Sequence, residues 1–458
     1  MPILRSTTRP LIFAEPKCFH RCSRSFVRPQ RFSADVRVAD SRRGHGVVSE
    51  SDQDVHAKDM NGAAETRDDQ DSIELRIEVI SNINKVSAEE WNACAKGASD
   101  YNPFVSWEFL DALEASDSAV QTKGWLAQHV LVSSEDGTLL GCCPLYLKGH
   151  SYGEYVFDHQ WAEVCHYMGK RYYPKLQSCV PFTPVTGSRM LTRPGPYADR
   201  VVGVLAQGLK AIADSMDVSS LHMTFNTDSE YEALESEGFI GRMGMQYHWQ
   251  NKGYETFNDF LLDLKQSRRK TIKQERKCLQ KHGLSVRRLR GSDIKASDWD
   301  DFYTFYLDTC NRKWGEDYLT REFFHMMGEN LGDDVLLFVA EDSGGDSVAA
   351  ALNLIASDKL FGRVWGKRRG VDFRHLHFEL SYYQALDVAI ENKISTVEAG
   401  AQGQHKIQRG YLPSPTYSSH YVREPKLRTL VAQALKREKL QNAAAMEHLT
   451  ADSPFKNP

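Results

Sequence analysis

The stretch EAGAQGQHKIQRGYLPSPTYSSHY, which begins at Glu398, brings together residue types that proton transfer requires. It follows an apolar segment, and ligands of α/β proteins bind beyond the carboxyl ends of strands. Glu398 or His405 could therefore act as a general base that takes a proton from an amine nucleophile. Small residues between them would let a ligand approach the backbone closely. In the alternative interpretation, Glu398 forms a structural ion pair with Arg409 and His405 caps a turn.

The predicted substrate contacts are charged and aromatic residues from two parts of the sequence. Lys406 and Arg409 could hold an acidic group of the substrate. The segment GEYVFDHQWAE places Asp158 and His159 among aromatic residues, which is typical of a ligand cleft. The same composition also occurs at the edge of an ordinary core. The predicted set is Asp158, His159, Lys406, Arg409 and Tyr411.

A basic loop, KRRGVD from Lys367 to Asp372, precedes a predicted helix that begins near Leu376. A helix N terminus offers unpaired N–H groups and the positive end of a dipole, and both favour phosphate. The predicted contacts to a cofactor phosphate are therefore Arg368, Arg369 and Gly370. The alternative is a basic loop that is simply solvated.

Strands and helices alternate along the chain from about Ile73. IELRIEVI alternates apolar and polar residues, which predicts a half-buried strand, and VVGVLAQGLKAIADSM has the period of an amphipathic helix. Ser87, Ser106 and Thr320 are predicted helix caps. The order of elements around VLAQGLKAIADSMDVSSLHMTF is repeated around LSYYQALDVAIENKISTVEAG. We therefore predict an α/β protein with a mixed (α+β) sheet, built from two copies of one unit.

The N-terminal 34 residues are rich in arginine and hydroxyl side chains and contain a single acid, Glu15. This composition is typical of an organelle transit peptide, and an unstructured basic tail is the alternative. The chloroplast is the favoured destination, with the mitochondrion as the other candidate. Residues 35–72 are polar and acidic and lack periodicity, which predicts a disordered linker.

The composition narrows the function classes. The chain has 458 residues, a formal net charge of −4 and 41% hydrophobic residues, which is typical of a globular protein. This charge gives no general reason to bind nucleic acid, and no apolar run is long enough for a membrane span. The nine cysteines form no paired CxxC motifs, so we predict neither a metal site nor a disulfide framework. The basic segment SRRKTIKQERKCLQK is either a solvated helix face or a contact to RNA.

Five longer motifs together resemble one family. They are GEYVFDHQWAE, RYYPKLQSCVPFTPVTG, RKWGEDYLTREFF, LHFELSYYQALDVAIE and EAGAQGQHKIQRGYLPSPTYSSH. The resemblance is to the predicted N-acyltransferase family "peptidoglycan biosynthesis/recognition", a relative of the Fem-type aminoacyltransferases. It covers the chain from Ile73 to Arg423. It implies two tandem GNAT-like acyltransferase domains that transfer an acyl group to an amine, from acyl-CoA or, as in the Fem relatives, from aminoacyl-tRNA.

The resemblance and the order of elements together give an expected organisation. The expected segments are a transit peptide (1–34), a disordered acidic linker (35–72), an N-terminal GNAT-like domain (73–250), a C-terminal GNAT-like domain (251–425) and a basic C-terminal helix and tail (426–458). The expected activity is N-acyl transfer to a small-molecule or peptide amine, with acyl-CoA as the donor. The basic loop matches the GNAT pyrophosphate pattern Q/R-x-x-G-x-G/A only at Gly370. A non-catalytic protein that binds a glycan or RNA on the same scaffold is therefore the alternative.

Overall fold

This computed structural model describes residues 33–38, 73–97, 101–313, 317–400 and 403–456, and the strands in these ranges form two sheets. In chain order the strands are β1 (Ser33–Val38), β2 (Ile73–Ile80), β3 (Trp125–Ala127), β4 (His129–Ser134), β5 (Leu139–Cys143), β6 (Tyr146–Lys148), β7 (Lys175–Ser178), β8 (Leu191–Thr192), β9 (Ser220–Asn226), β10 (Ile240–Gln250), β11 (Ser285–Arg290), β12 (Val335–Glu341), β13 (Ser347–Ile355), β14 (Lys359–Lys367), β15 (Thr396–Glu398) and β16 (Leu412–Val422).

Helices cover the faces of these sheets. They are α1 (Ala88–Ala95), α2 (Trp107–Ala115), α3 (His159–Tyr167), α4 (Ala198–Ser215), α5 (Asp228–Ser236), α6 (Phe257–Asp263), α7 (Gln266–Lys281), α8 (Ala296–Lys313), α9 (Arg321–Leu331), α10 (Leu376–Phe378), α11 (Gln384–Glu391) and α12 (Pro425–Ala451). A π-helical turn over Glu379–Tyr383 joins α10 to α11, and a 3-10 helix, Gln404–Arg409, follows β15. Shorter 3-10 turns occupy Ile83–Lys85, Pro103–Val105, Gln121–Lys123, Gly291–Asp293 and Gly332–Asp334.

The smaller sheet has the strand order β1-β2-β4-β5-β8. Its first strand differs from the sequence-based expectation, because it lies where the predicted transit peptide (1–34) meets the predicted linker (35–72). The sequence SADVRV alternates small or apolar residues with charged ones, and this pattern allows it to pair antiparallel with β2. Most of these two predicted segments, residues 1–32 and 39–72, lies outside the described residues, so both assignments stay predictions.

The larger sheet has the order β11-β12-β13-β14-β15-β10-β16-β9-β7-β6-β3 and contains two parallel strand pairs. β7 pairs with β9 after the crossover helix α4, and β14 pairs with β15 after α10 and α11. A crossover helix between parallel strands is the expected connection, because such strands cannot be joined by a tight turn. The mixed α/β class is thereby confirmed, as is the predicted repeat of a helix followed by a strand in each half.

The last strand of each half pairs with the other half of the chain. β10, which follows β9 and α5, lies between β15 and β16. Its residue His248 faces Glu398 of β15, while His420 of β16 faces His222 of β9. The two halves therefore share one continuous sheet, and residues of both halves meet at the end of β15. The predicted domain boundary after residue 250 coincides with the end of β10 and stays a prediction.

β16 contains two prolines in a stretch for which the sequence predicts no strand. Pro413 and Pro415 face Tyr247 and Met245 of β10. On the other side of β16, pairing with β9 extends only to Tyr417. Because proline lacks the N–H group that would bond a second neighbour, it is tolerated where a strand has a partner on one side only.

Hydroxyl side chains begin the helices where the sequence predicts them. The Ser87 hydroxyl accepts a hydrogen bond from the N–H of Glu90 at 3.2 Å, and Ser106 accepts one from Phe109 at 3.3 Å. Thr320 caps α9 in the same way. Each cap satisfies one of the N–H groups that the first helical turn leaves unpaired.

The predicted C-terminal helix is α12. Leu427, Val431 and Leu435 are buried against Trp161 of α3 and Val422 of β16. The remaining turns of α12 are largely solvated. None of the helices in the described residues is both long enough and apolar enough to cross a lipid bilayer.

Candidate active site

Glu398 is the last residue of β15, and residues from the first half of the chain hold its carboxylate. Its side chain is only 3% exposed. The Thr186 hydroxyl donates to Oε1, and the Thr186 N–H donates to Oε2 at 3.3 Å. The Nε2 atom of His248 lies 3.9 Å from Oε2. The predicted base therefore has a hydroxyl, an amide and an imidazole around it, and all three come from the first half of the chain.

His248 is a titratable neighbour of Glu398 that the sequence analysis missed. It lies opposite Glu398 in the pairing of β10 with β15. Burial lowers the pKa of His248, and the nearby Glu398 carboxylate opposes that shift. The imidazole is therefore neutral at pH 7, and a neutral imidazole can accept a proton. The strand GMQYHWQ is evident in the sequence, but its pairing with β15 is not, so the sequence gives no signal for this contact.

The parallel strands β14 and β15 part just beyond Glu398. Their pairing covers three residue pairs and ends at Phe361 and Glu398. β14 continues along β13, but the register shifts so that no β13 residue faces Arg363. A bulge of this kind leaves its extra residue unpaired and bends the strand. The pairing of β15 with β14 therefore ends close to the bulge, and we call this region, with Glu398, His248, Thr186 and Arg363, the β15 tip.

Arg363 lies against a loop of the first half. Its Nη2 atom donates to the Phe182 carbonyl at 2.7 Å and to the Thr183 hydroxyl at 3.1 Å. Burial lowers the pKa of Arg363, while two phenols, Tyr155 and Tyr306, oppose the shift. No carboxylate in the described residues forms a salt bridge with it. The sequence analysis treated KLFGRVWG only as a strand and therefore missed this arginine.

Lys406 bonds the backbone that directly follows β15. Its Nζ donates to the carbonyls of Ala399 and Gly400 at 2.5 and 3.1 Å. The side chain is 5% exposed, and burial lowers the pKa of Lys406 to about 8. The lysine was predicted to bind an acidic group of the substrate. In the structure its ammonium fixes backbone carbonyls instead, so its observed contacts are structural ones. The Cβ position of Gly400 faces open space, which agrees with the small residues expected here.

His405 lies on the exposed face of the 3-10 helix. Its Nε2 atom is 3.1 Å from the Tyr382 hydroxyl, and its ring packs 5.6 Å from the ring of Phe378. Burial of the ring and the nearby charge of Arg409 lower the pKa of His405. Its contacts are with aromatic residues of the α10–α11 helix and not with Glu398. The structure therefore does not bring the two predicted catalytic residues into contact.

Arg409 and Tyr411, two further predicted substrate contacts, are buried. The Arg409 Nη2 atom donates to Glu275 at 2.7 Å, and Nε donates to the Tyr383 hydroxyl at 3.1 Å. The alternative ion pair between Arg409 and Glu398 is therefore wrong, because α7 supplies the partner. The side chain of Tyr411 has no exposed surface, and its hydroxyl donates to the carbonyl of Tyr382 at 3.4 Å.

The predicted phosphate loop is separated from its helix. Arg368 pairs with Asp342 at 3.1 Å and with Asp346 at 3.7 Å, both in the turn between β12 and β13. Gly370 has a φ of 81°, a left-handed conformation that suits glycine, and Arg369 is exposed. The helix starts only at Leu376, as predicted. The charge of Arg368 is thus already paired, and phosphate binding by Arg368, Arg369 and Gly370 stays a prediction.

Asp158 is buried in a group of charged residues that does not include Glu398. Lys175 donates to Glu154 at 2.6 Å and also to Asp158, and the Tyr172 hydroxyl donates to Asp158 at 2.6 Å. Lys148 lies 3.9 Å from Glu154. None of these residues is more than 4% exposed. We call them the Lys175 network: Lys148, Glu154, Asp158, Tyr172 and Lys175.

The network fixes the protonation state of Asp158. Burial alone raises the pKa of Asp158, but the charges of Lys175 and His222 outweigh it and hold that pKa well below its usual range. The next residue, His159, is exposed and stacks on Phe157 with ring centroids 6.1 Å apart. The adjacent pair in the sequence is thus split between the interior and the surface.

The Lys175 network and Glu398 belong to opposite ends of β10. His222, 4.0 Å from Asp158, lies at the level of Ile240 in the sheet. His248, which faces Glu398, follows eight residues after Ile240 on β10. Eight residues of strand span about 26 Å. The structure therefore does not bring the predicted substrate contacts Asp158 and His159 together with Glu398.

The described residues contain at least two cavities, and the smaller one lies beside the β15 tip, because Asn102 donates to the Thr186 carbonyl at 3.0 Å. One of about 330 Å³ is lined by Trp299 and His325 of α8 and α9, and one of about 50 Å³ is lined by Asn102 and Ser188. Neither is lined by a predicted site residue. Within the described ranges, no group of three or more histidine, cysteine or acidic residues is arranged to hold a metal ion.

Comparisons with known proteins point to one family. A family model named FemAB-like and described as peptidoglycan biosynthesis/recognition matches residues 82–457. Among solved structures, FemX is 11% identical with a TM-score of 0.49, covering 76% of this chain and 98% of its own. L-PGS from Bacillus licheniformis is 8% identical with a TM-score of 0.43, covering 72% of this chain and 96% of its own. A GCN5-related N-acetyltransferase from Sphaerobacter thermophilus is 14% identical with a TM-score of 0.33, covering 76% and 95%. No curated protein matches the chain.

Proposed function

Because the chain belongs to the FemAB-like family, described as peptidoglycan biosynthesis/recognition, we propose that it transfers an acyl or aminoacyl group to an amine acceptor. One observation carries this proposal. The Glu398 carboxylate stands at the tip of β15, where the parallel pairing with β14 ends beside a bulge. A base at such an edge can meet a substrate that lies across the ends of both strands.

The residues of the β15 tip have complementary roles in this reaction. The amine nitrogen attacks the carbonyl carbon of the donor, and the bond from that carbon to the thiol or hydroxyl leaving group breaks. Glu398 takes the proton that the amine loses, with the neutral His248 beside it as a second acceptor. Backbone N–H groups of the bulge at Arg363 polarise the carbonyl. Thr186 keeps the Glu398 carboxylate in place.

We propose acyl-CoA as the donor, with aminoacyl-tRNA as the second candidate because of the family relationship. The two donors share an activated carbonyl, so the role of Glu398 is the same for both. For localisation, we propose import into a chloroplast, on the composition of residues 1–34, of which 1–32 lie outside the described residues.

The test is a transfer assay with the purified full-length protein. Acetyl-CoA, longer acyl-CoAs and charged tRNA are each incubated with a set of amines, and mass spectrometry detects the acylated products. Transfer from at least one donor that is lost in Glu398→Gln, with the melting temperature retained, supports the proposal. Transfer that is unchanged in Glu398→Gln, or no transfer from any of the donors, counts against it.

The second candidate function is binding without chemistry, and α7 favours it. Lys270, Lys273, Lys277 and Lys281 are all exposed on this helix, and none of them forms a salt bridge within the described residues. An exposed row of lysines suits a phosphate backbone. RNA binding that is abolished by neutralising Arg268, Arg269 and Lys273, together with no acyl transfer, would favour this candidate.

A further inference from the structure

Arg363, which is partly buried, differs in its pairing from the buried arginines Arg189 and Arg409. Arg409 pairs with Glu275, and Arg189 uses all three of its nitrogens to bond backbone carbonyls. Arg363 uses only Nη2, for the Phe182 carbonyl and the Thr183 hydroxyl. An arginine has five N–H donors, so those on Nε and Nη1 have no acceptor in the part of the chain that the structure describes. A partly buried guanidinium with unused donors can bind a carboxylate of a ligand through charge-assisted hydrogen bonds.

Aromatic rings surround this guanidinium, and some of them are exposed. The Phe104 ring centroid is 5.8 Å from it, and Phe182 stacks on Tyr318 with centroids 5.1 Å apart. Tyr155 is 37% exposed and lies on a loop whose residues Tyr152 and Phe157 are more exposed still. Aromatic side chains beside one charged group are typical of a ligand recess, and the exposed ring of Tyr155 marks its mouth.

The backbone of Tyr155 supports this interpretation. Its φ is 60°, a left-handed conformation that is costly for an aromatic residue. The hydrogen bond from the Phe182 N–H to the Gly153 carbonyl, 3.0 Å long, helps to hold this loop. Strain that the surrounding structure enforces on an exposed residue is frequent at ligand sites.

Arg363 and Glu398 are close enough for one small molecule to reach both. Arg363 follows two residues after Phe361, the residue paired with Glu398, which is about 7 Å along the strand. Both side chains contact the same loop: Arg363 bonds Thr183, and Glu398 bonds Thr186. Three residues of extended chain span at most about 11 Å.

We propose that Arg363 binds a carboxylate of the acceptor, so that the acceptor is an amine that carries its own carboxylate, such as an amino acid or a short peptide. This inference rests on the proposed acyl transfer at Glu398, because Glu398 would meet the amine of the acceptor and Arg363 would bind the carboxylate of the same molecule. One cation among aromatic rings balances a single negative charge, which a carboxylate carries. A phosphate dianion would leave one charge uncompensated in the same recess.

The first arm of the test uses the unaltered full-length protein and matched acceptors. Lysine is compared with cadaverine, its decarboxylated form, and free dipeptides are compared with their C-terminal amides. We expect kcat/KM to be about 10- to 100-fold higher for each acceptor that carries the carboxylate. A preference for the amino acid over the dipeptide, or the reverse, identifies the source of the carboxylate. Equal rates for the matched acceptors would overturn the inference while leaving acyl transfer established.

The second arm measures binding and does not need turnover. Calorimetric titration follows the binding of N-acetyl amino acids and of inorganic phosphate to the wild type, Arg363→Gln and Arg363→Lys. We expect Arg363→Gln to weaken binding of the N-acetyl amino acids about 10- to 100-fold, and Arg363→Lys to weaken it less. Such a loss in a protein without any acyl transfer supports the anion site and counts only against the chemistry at Glu398. Unchanged or absent binding of these compounds, or tighter binding of phosphate, overturns the inference.

Matched variants separate loss of the site from loss of the fold. Arg321→Gln removes an arginine of α9 that is already paired with Asp300, and it should leave binding unchanged. Tyr155→Phe removes only a hydroxyl and does not touch the bonds that Arg363 makes to its loop. It should weaken binding of the N-acetyl amino acids about 3- to 10-fold at an unchanged melting temperature. If Arg363→Gln unfolds, equal binding by Tyr155→Phe and the wild type counts against the recess.

Discussion

The Lys175 network and the β15 tip both gather charged side chains on the large sheet, but they differ in how fully those charges are matched. In the network two lysines face two carboxylates, and all of these side chains are sealed from solvent. At the tip, Arg363 has no carboxylate partner in the described ranges and lies near exposed rings. Paired charges that are shielded from solvent stabilise a fold. A charge without a paired carboxylate at the end of a strand is available to a ligand. The comparison separates a structural centre from a functional one.

The largest expected effect comes from breaking the network. Asp158→Asn keeps the shape of the side chain but leaves Lys175 with one carboxylate fewer. We expect the free energy of unfolding to fall by about 3–5 kcal/mol, because removing one partner of a buried pair leaves the other uncompensated. Chemical denaturation followed by circular dichroism measures this loss. Glu391→Gln, which removes an exposed partner of Arg288, is the control and should have little effect.

Asp158→Asn should also change how the stability of the protein depends on pH. The pKa of Asp158 lies below its ordinary value of 3.8 because Lys175 and His222 outweigh the effect of burial. A lowered folded-state pKa means that the unfolded chain binds the proton first as the pH falls. The stabilisation is therefore complete above about pH 4 and is lost at lower pH. Asp158→Asn should unfold with a weaker acid dependence, and equal acid dependence of both proteins would contradict the role of the network.

Local sequence patterns account for much of the fold. The alternation in IELRIEVI gives β2, and the hydroxyl caps give the starts of α1, α2 and α9, because both depend on residues close in sequence. The pairing of β10 with β15 and β16 could not be predicted, since the choice of partner for β10 depends on residues far away in the chain. The two prolines of β16 also hid a strand, because their tolerance depends on which neighbours pair with it.

The candidate site was predictable only in part, for the same reason. Glu398 was recognised because its position at a strand end is a local property. His248 and Thr186, which contact it, come from the other half and carry no local signal. Arg368 was predicted to contact a cofactor phosphate, but the β12–β13 turn brings Asp342 to its guanidinium. Residue type indicates which interactions a side chain can make. Its partners in the fold decide whether its charge is free to bind a ligand.

The second largest effect is expected at the tip. Glu398→Gln keeps one of the two acceptor oxygens that Thr186 bonds but removes the base, so we expect kcat to fall about 100- to 1,000-fold. The melting temperature should change less than in Asp158→Asn. Steady-state kinetics with the best donor and acceptor, together with thermal unfolding, measure both quantities. The reverse pattern, a large loss of stability with kcat retained, would make the tip a second structural centre.

A moderate effect is expected at Lys406, which links the tip to the 3-10 helix. Burial lowers the pKa of Lys406 to about 8 from its ordinary value of 10.5. Between these two values the unfolded chain binds a proton that the folded chain does not, so stability from this group rises with pH. In Lys406→Met this rise should be missing, a difference of about 1–3 kcal/mol between pH 8 and 10.5. Lys436→Met, an exposed lysine of α12, is the control and should retain the rise.

The smallest effect is expected at His405, which tests where the tip ends. Its ring is exposed and its hydrogen bond goes to the Tyr382 hydroxyl, so it contributes to neither group of charges. We expect His405→Ala to lower kcat by less than about 3-fold and to change stability little, because it removes one neutral hydrogen bond at the surface. Kinetics beside Glu398→Gln under the same conditions measure the ratio of the two effects. If His405→Ala loses as much activity as Glu398→Gln, the base is His405 and the functional centre extends from the strand end onto the 3-10 helix.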